Sequence, residues 1–241
     1  MSTAPNTPDP VPTLAIQLRC APLPLDAARY LVEDAERLPF GTFDEAMDDC
    51  GLPADRGARP WRWEVLDKAL GRRDVSLSLV RRGEQAHLEL TLLRDTHGSF
   101  VELLVMSRSL PSAWPLLAAS ARAWAVALPR VTSGSVGDPA ANKVIFRAQR
   151  AMELGGPPSC FGLNLRWRHD LAPSFSSLSL APEDLVAAPA AVETLENGVV
   201  ELTFFEDPLG WHRTEAQERV FAATRWLRAR DRFGRVATGP A

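Results

Sequence analysis

Hydrophobic and polar positions alternate with period two along three consecutive runs, Val75–Arg82, Ala86–Arg94 and Ser99–Ser107. Period two is the mark of strands that bury one face. Gly83-Glu84-Gln85 and Asp95-Thr96-His97-Gly98 separate the runs at lengths that suit hairpin turns. The segment therefore predicts an antiparallel meander. Residues 13–19 alternate in the same way, as do residues 160–169, where Leu163, Leu165 and Trp167 would point inward. Residues 191–196 and 199–205 flank Asn197-Gly198, the strongest short hairpin signal in the chain.

Helical spacing appears elsewhere. In Leu25–Arg37 it places Leu25, Ala28, Leu31, Val32 and Ala35 on one face, before Pro39. Residues 112–128 carry Trp114, Leu117, Ala121, Trp124 and Leu128 on a single stripe, and residues 61–72 fit a helix or, as the alternative, a strand followed by a turn. Thr42-Phe43-Asp44-Glu45 has the form of a capping box, which predicts a short helix ending at Gly51. The Ser- and Gly-rich residues 129–138 predict a loop that hinges two halves. Asp138-Pro139 would then open a helix to about residue 154, and Thr214-x-x-Gln217 a last one to about residue 230.

Meanders and hairpins followed by amphipathic helices predict an α+β fold: a mostly antiparallel sheet of at least six strands, in two meander or hairpin halves, with helices packed on it. Residues 1–12 form a Pro-rich, disordered lead-in on this reading, 13–128 a first half, 138–233 a second half joined to it in one domain, and 234–241 a flexible tail. Ser76–Leu79 and Ser177–Leu180 both read SLSL, and each precedes a VEL strand and a Trp-bearing helix, so a duplicated half is conceivable.

Composition narrows the function classes. With 241 residues, 46% hydrophobic, the chain can bury a sizeable core and is neither collagen-like nor wholly disordered. A net charge of −3 argues against a dedicated nucleic-acid binder. Cys20, Cys50 and Cys160 form no C-x-x-C pair and suit a reducing compartment. The first residues lack the basic start and apolar run of a secretion signal, and the longest apolar stretch, 116–128, is interrupted by Ser120 and Arg122. Both point to a cytoplasmic protein.

Reactive constellations are sparse. Neither Lys68 nor Lys143 follows a glycine, which excludes a P-loop. His87, His97, His169 and His212 fall in no zinc motif, and His87, Glu89 and Thr91 share one strand face, as a half-buried sheet requires. Glu102 and Glu201 occupy matching places in apolar strands, where a solvent or interface face accounts for them. No catalytic residue, cofactor or metal is expected. Two charged features remain. Residues 33–49 carry seven carboxylates against Arg37, and residues 225–235 carry an arginine stripe of Arg225, Arg228, Arg232 and Arg235. Cations at a helix C-terminus explain the stripe, and nucleic-acid contact is the alternative.

The passage VETLENGVVELTFFEDPLGWHRTEAQERVFAATRWL, residues 192–227, runs hairpin, Asp-Pro loop, capped helix. It resembles the end of bacterial immunity proteins from polymorphic-toxin and type VI secretion loci, the immunity protein 52 family above all. The resemblance implies a non-enzymatic antitoxin that binds a cognate protein toxin, and it carries over no functional residues. A basic toxin would be met by carboxylates and an aromatic anchor. The expected partner-binding residues are accordingly Asp44, Glu45, Asp48, Asp49, Asp207 and Trp211. A small hydrolase-like enzyme with a dispersed site, or an arginine-stripe nucleic-acid module, would be the other readings.

Overall fold

The structure, a computed structural model, describes residues 11–48, 58–131, 133–139, 163–167, 186, 191–203, 208–210 and 212–229. The alternating runs are strands, as their pattern requires. In chain order the strands are β1 (Thr13–Cys20), β2 (Glu45–Asp48), β3 (Arg59–Pro60), β4 (Val75–Arg82), β5 (Ala86–Arg94), β6 (Ser99–Ser107), β7 (Ser133–Gly137), β8 (Leu163–Trp167), β9 (Ala191–Thr194) and β10 (Val199–Thr203). The helices are α1 (Leu25–Arg37), α2 (Trp63–Leu70), α3 (Leu110–Ala127) and α4 (Thr214–Ala229). All ten strands join one sheet in the order β3-β2-β4-β5-β6-β1-β7-β8-β10-β9, and every pairing is antiparallel. The class is α+β, as the pattern predicted.

One face of the sheet supplies the core. Leu14, Ile16 and Leu18 of β1, Leu77 and Leu79 of β4, Leu88, Leu90 and Leu92 of β5, and Val101, Leu103 and Val105 of β6 are all buried there. They pack with Ala28, Leu31, Val32 and Ala35 of α1, Leu66 and Ala69 of α2, and Leu117, Ala121, Trp124 and Ala125 of α3. The α3 stripe read from the sequence is thus the buried one. Trp124 has no exposed surface, and its indole N–H donates to Asp34 Oδ2 at 2.7 Å. Asp34, one of the seven carboxylates of the acidic run, is therefore the hydrogen-bond partner of a core tryptophan.

Hairpin chemistry follows the turn residues. Asp95 Oδ1 accepts from the backbone N–H groups of His97 and Gly98, closing the β5–β6 turn. Gly198 adopts φ 84° in the β9–β10 turn, a left-handed conformation that favours glycine. Asn197 reaches from that turn to donate to the Ala125 carbonyl of α3 at 2.7 Å.

Two expectations fail. The capping box at Thr42 opens no helix: Glu45–Asp48 is strand β2, paired with β4 from Glu45↔Val80 to Asp48↔Leu77. Tertiary partners take the capping groups. Arg81 donates to the Thr42 carbonyl, Glu36 accepts from the Phe43 N–H, and Glu45 pairs with Arg82. The second failure is the hinge at residues 129–138. Ser133–Gly137 is strand β7, held between β1 and β8 in the interior of the sheet. Its Gly134, Ser135 and Val136 are buried, so small residues with weak strand propensity are chosen here by what lies on either side. The expected hinge is instead a strand bridging β1 and β8.

Other readings hold or fall outside the description. Residues 163–167, within the run read as a strand, are β8, and 191–194 with 199–203 form the hairpin expected at Asn197-Gly198. Pro139 is helical, while residues 140–154 of the helix it was to open lie outside the described residues, as do residues 1–10 of the lead-in, the tail at 234–241 and Ser177–Leu180.

Candidate functional site

Strand register defines the sheet face opposite the core helices. Across β4, β5, β6 and β1, side chains sharing that face form four rows: Ser76, Leu93, Phe100, Arg19; Ser78, Thr91, Glu102, Gln17; Val80, Glu89, Leu104, Ala15; and Arg82, His87, Met106, Thr13. Antiparallel partners stand on the same side, so register alone makes these residues neighbours. Glu45 of β2 joins the third row opposite Val80. The face mixes charge with apolar surface. Leu93 is 39% and Met106 37% exposed, and Phe100, Leu104, Glu89 and Glu102 are half-buried.

Glu89 and Glu102 lie on adjacent strands as diagonal neighbours, about 7–8 Å apart. Glu102 accepts from Gln17 Nε2 at 2.5 Å. Glu89 stands 3.7 Å from His87 Nε2, and Thr91 Oγ1 lies within hydrogen-bond reach of it. Neither carboxylate is in ion-pair contact with an arginine or lysine among the described residues. Glu45, by contrast, is paired with Arg82 Nη1 at 3.2 Å. The His87–Glu89–Thr91 alternation read from the sequence is present, with Leu88, Leu90 and Leu92 buried behind it.

The sequence-predicted contact residues separate. Asp44 is exposed just before β2, where its N–H donates to the Val80 carbonyl and its own carbonyl accepts from Trp61 N–H. Glu45 lies in β2 on the face just described, and Asp48 pairs in register with Leu77 of β4. A strand's alternation replaces the helix face on which these acids were grouped. Asp49, Asp207 and Trp211 lie outside the described residues, as do Cys50, Cys160, His169, Arg232 and Arg235. Glu89 and Glu102 were read as single strand positions. The meander read from the sequence pairs β5 with β6, but only the register of that pairing makes the two carboxylates diagonal neighbours.

Glu201 corrects another expectation. It does not face solvent: it is 2% exposed, and its carboxylate accepts from Arg122 Nε and Nη2 of α3. Cys20 is a buried free thiol, and burial pushes its pKa up to about 12. A thiol held neutral in this way is a packing group. No group of three or more His, Cys, Asp or Glu among the described residues is placed to hold a metal ion. No helix among them is long and apolar enough to cross a membrane.

No protein-family model matches the chain, and no curated protein does. Among solved structures, it is similar to a chain of the crystal structure of the toxic C-terminal tip of CdiA from Pseudomonas aeruginosa in complex with immune protein. The match has 11% identity and a TM-score of 0.36, and covers 53% of this chain and 88% of the other.

Proposed function

We propose that this chain is a protein-binding module of the toxin-immunity kind, acting in the cytoplasm without chemistry of its own, with a basic toxin domain as partner. The observation that carries the reading is the pair Glu89 and Glu102. Two half-buried carboxylates stand diagonally on one sheet face, without arginine or lysine partners among the described residues and beside the exposed Leu93 and Met106. Like charges on neighbouring strands repel each other, and a cationic partner would relieve that repulsion. The aliphatic stems of a partner's Arg or Lys side chains would cover the apolar neighbours while their heads meet the acids. The resemblance of residues 192–227 to immunity proteins supports the same class.

The contact surface on this reading runs from Glu89 and Glu102 through Glu45 and Asp44. Asp48, Asp49, Asp207 and Trp211 are proposed with it, Trp211 as an aromatic anchor. The test is calorimetric titration of the wild type against the toxin domain encoded beside it. Glu89→Arg with Glu102→Arg is expected to weaken binding by at least about tenfold, an effect of ~1.4 kcal/mol. Trp211→Ala, and charge reversal at Asp48 and Asp49, are each expected to weaken it as well. A wild type that does not bind that domain would overturn the reading.

A further inference from the structure

Among the described residues the sheet has two edges, β3 and β9. An edge strand offers unpaired backbone groups, and proteins guard it with short length, proline or basic side chains. β3 is guarded in this way, being two residues long, Arg59 and Pro60. β9 is not. Its residues Ala191, Val192, Glu193 and Thr194 are all exposed, and none is proline, lysine or arginine. We infer that the β9 edge takes up an extended segment of a protein partner as a further antiparallel strand, with a cationic residue opposite Glu193 and an apolar one opposite Val192. This adds a second contact to the protein-binding reading above. It is tested with peptide alone, so either can fail without the other.

Register decides which backbone groups are free. The Leu195 N–H donates to the Val199 carbonyl at 2.8 Å, which makes these two a hydrogen-bonded pair of the β9–β10 ladder. Bonded and non-bonded pairs alternate, so Glu193 with Glu201 is a bonded pair, while Thr194 with Val200 and Val192 with Leu202 are not. The N–H and C=O groups of Val192 and Thr194 therefore point away from β10, and no described residue pairs with them. Two donors and two acceptors on alternate residues are what an added strand engages. Charge selects the occupant. Glu193 is exposed and in no ion-pair contact among the described residues. Its neighbour Glu201 is hydrogen-bonded by Arg122, which reaches Glu193 only through its field. Two carboxylates thus share one guanidinium, and a lysine or arginine opposite Glu193 supplies the missing cation. Val192, 36% exposed, stands beside the buried Leu202, so an apolar residue opposite it lengthens an apolar row. A second copy of this chain fits less well, because its β9 brings another Glu193 and no cation.

The experiment is a nuclear magnetic resonance titration of the ¹⁵N-labelled full chain with the acetylated and amidated peptide Thr-Val-Lys-Val-Thr. Saturable shifts and slowed hydrogen exchange are expected at the Val192 and Thr194 amides. With its lysine opposite Glu193, the peptide turns both valine N–H groups toward β9 and the lysine N–H away. N-methylation of both valines is therefore expected to abolish binding, and N-methylation of the lysine to leave it in place. Glutamate in place of the lysine is expected to lower the affinity by at least about tenfold. Val192→Pro removes an N–H that β10 does not use, so the hairpin keeps its ladder while the response at Thr194 is expected to be lost. The amides of Glu201 and Thr203 report that the hairpin of this variant is folded. No saturable shift at Val192 and Thr194, equal affinity for the doubly methylated or the glutamate peptide, or unchanged binding by Val192→Pro would each overturn the proposal. Self-association of the protein alone, seen in sedimentation and removed by Val192→Pro, would assign the edge to a second copy and overturn it as well.

Discussion

The Arg122 guanidinium holds the Glu201 carboxylate through two hydrogen bonds, Nε to Oε2 at 2.6 Å and Nη2 to Oε1 at 2.7 Å. The pair joins α3 to β10 across 79 residues of sequence. The Glu201 side chain is 3% exposed and that of Arg122 44%. The hydrogen bonds to Glu201 hold the guanidinium protonated above its ordinary range, and the nearby Glu193 adds to this. Glu193 is the register partner of Glu201, so one arginine offsets two like charges on adjacent strands.

Arg122→Ala leaves the Glu201 carboxylate buried without its cation and is expected to cost about 3 kcal/mol, the low end for breaking a buried pair. Arg122→Met combined with Glu201→Leu removes both charges and should restore most of the loss. Urea denaturation midpoints of the two variants against wild type measure this. Equal loss in both would show that packing, not the ion pair, holds α3 to β10.

The Trp124–Asp34 hydrogen bond gives a second expectation. Asp34→Ala orphans a fully buried indole N–H and is expected to cost about 1–3 kcal/mol. Asp34→Asn keeps an acceptor within reach and should cost less than half as much. Thermal melting of both proteins checks the order.

Cys20 makes stability pH-dependent at the alkaline end. Burial raises its folded pKa from 9.0 to about 12, so the neutral thiol is the form that the fold favours. That contribution is fully present below the unfolded pKa and is lost as pH rises through the folded one. Denaturation free energy should therefore fall between pH 9 and about 12, and the fall should be shallower in Cys20→Ala. With Cys50 and Cys160 replaced by serine, the native protein should resist iodoacetamide at pH 8 until it is unfolded.

Gly98 sits where the β5–β6 turn passes the end of β1. A Cβ there would come within 2.8 Å of the Cys20 carbonyl oxygen, a backbone atom with little room to move. Gly98→Ala is expected to destabilise by about 1–3 kcal/mol, as overpacking does. Gly71→Ala, whose nearest contact would be 3.4 Å, is the control and should be near neutral. A lowered melting temperature in the first variant and an unchanged one in the second is the expected result.

Local pattern was sufficient for α1 and for β4, β5 and β6, whose bounds coincide with their alternating or helical runs. Each buries one face against a common core, and burial of one face is what periodicity records. It also placed the Asn197-Gly198 turn, where the turn residues themselves carry the geometry. Periodicity does not record which strand stands beside which. Strand β7 carries only Val136 as a large apolar side chain, and it is a strand because β1 and β8 offer hydrogen bonds on both sides. Strand β2 overrode a well-formed capping box because Val80, Arg81, Arg82 and Glu36 took up the backbone and side-chain groups that a helix would have used. Likewise Glu201 reads as a surface acid until α3 brings Arg122 over it, and Glu89 and Glu102 become diagonal neighbours only through the register of the expected β5–β6 pairing. Hydrogen bonds and ion pairs between residues tens of positions apart depend on chain closure, and only the tertiary structure decides which of them form.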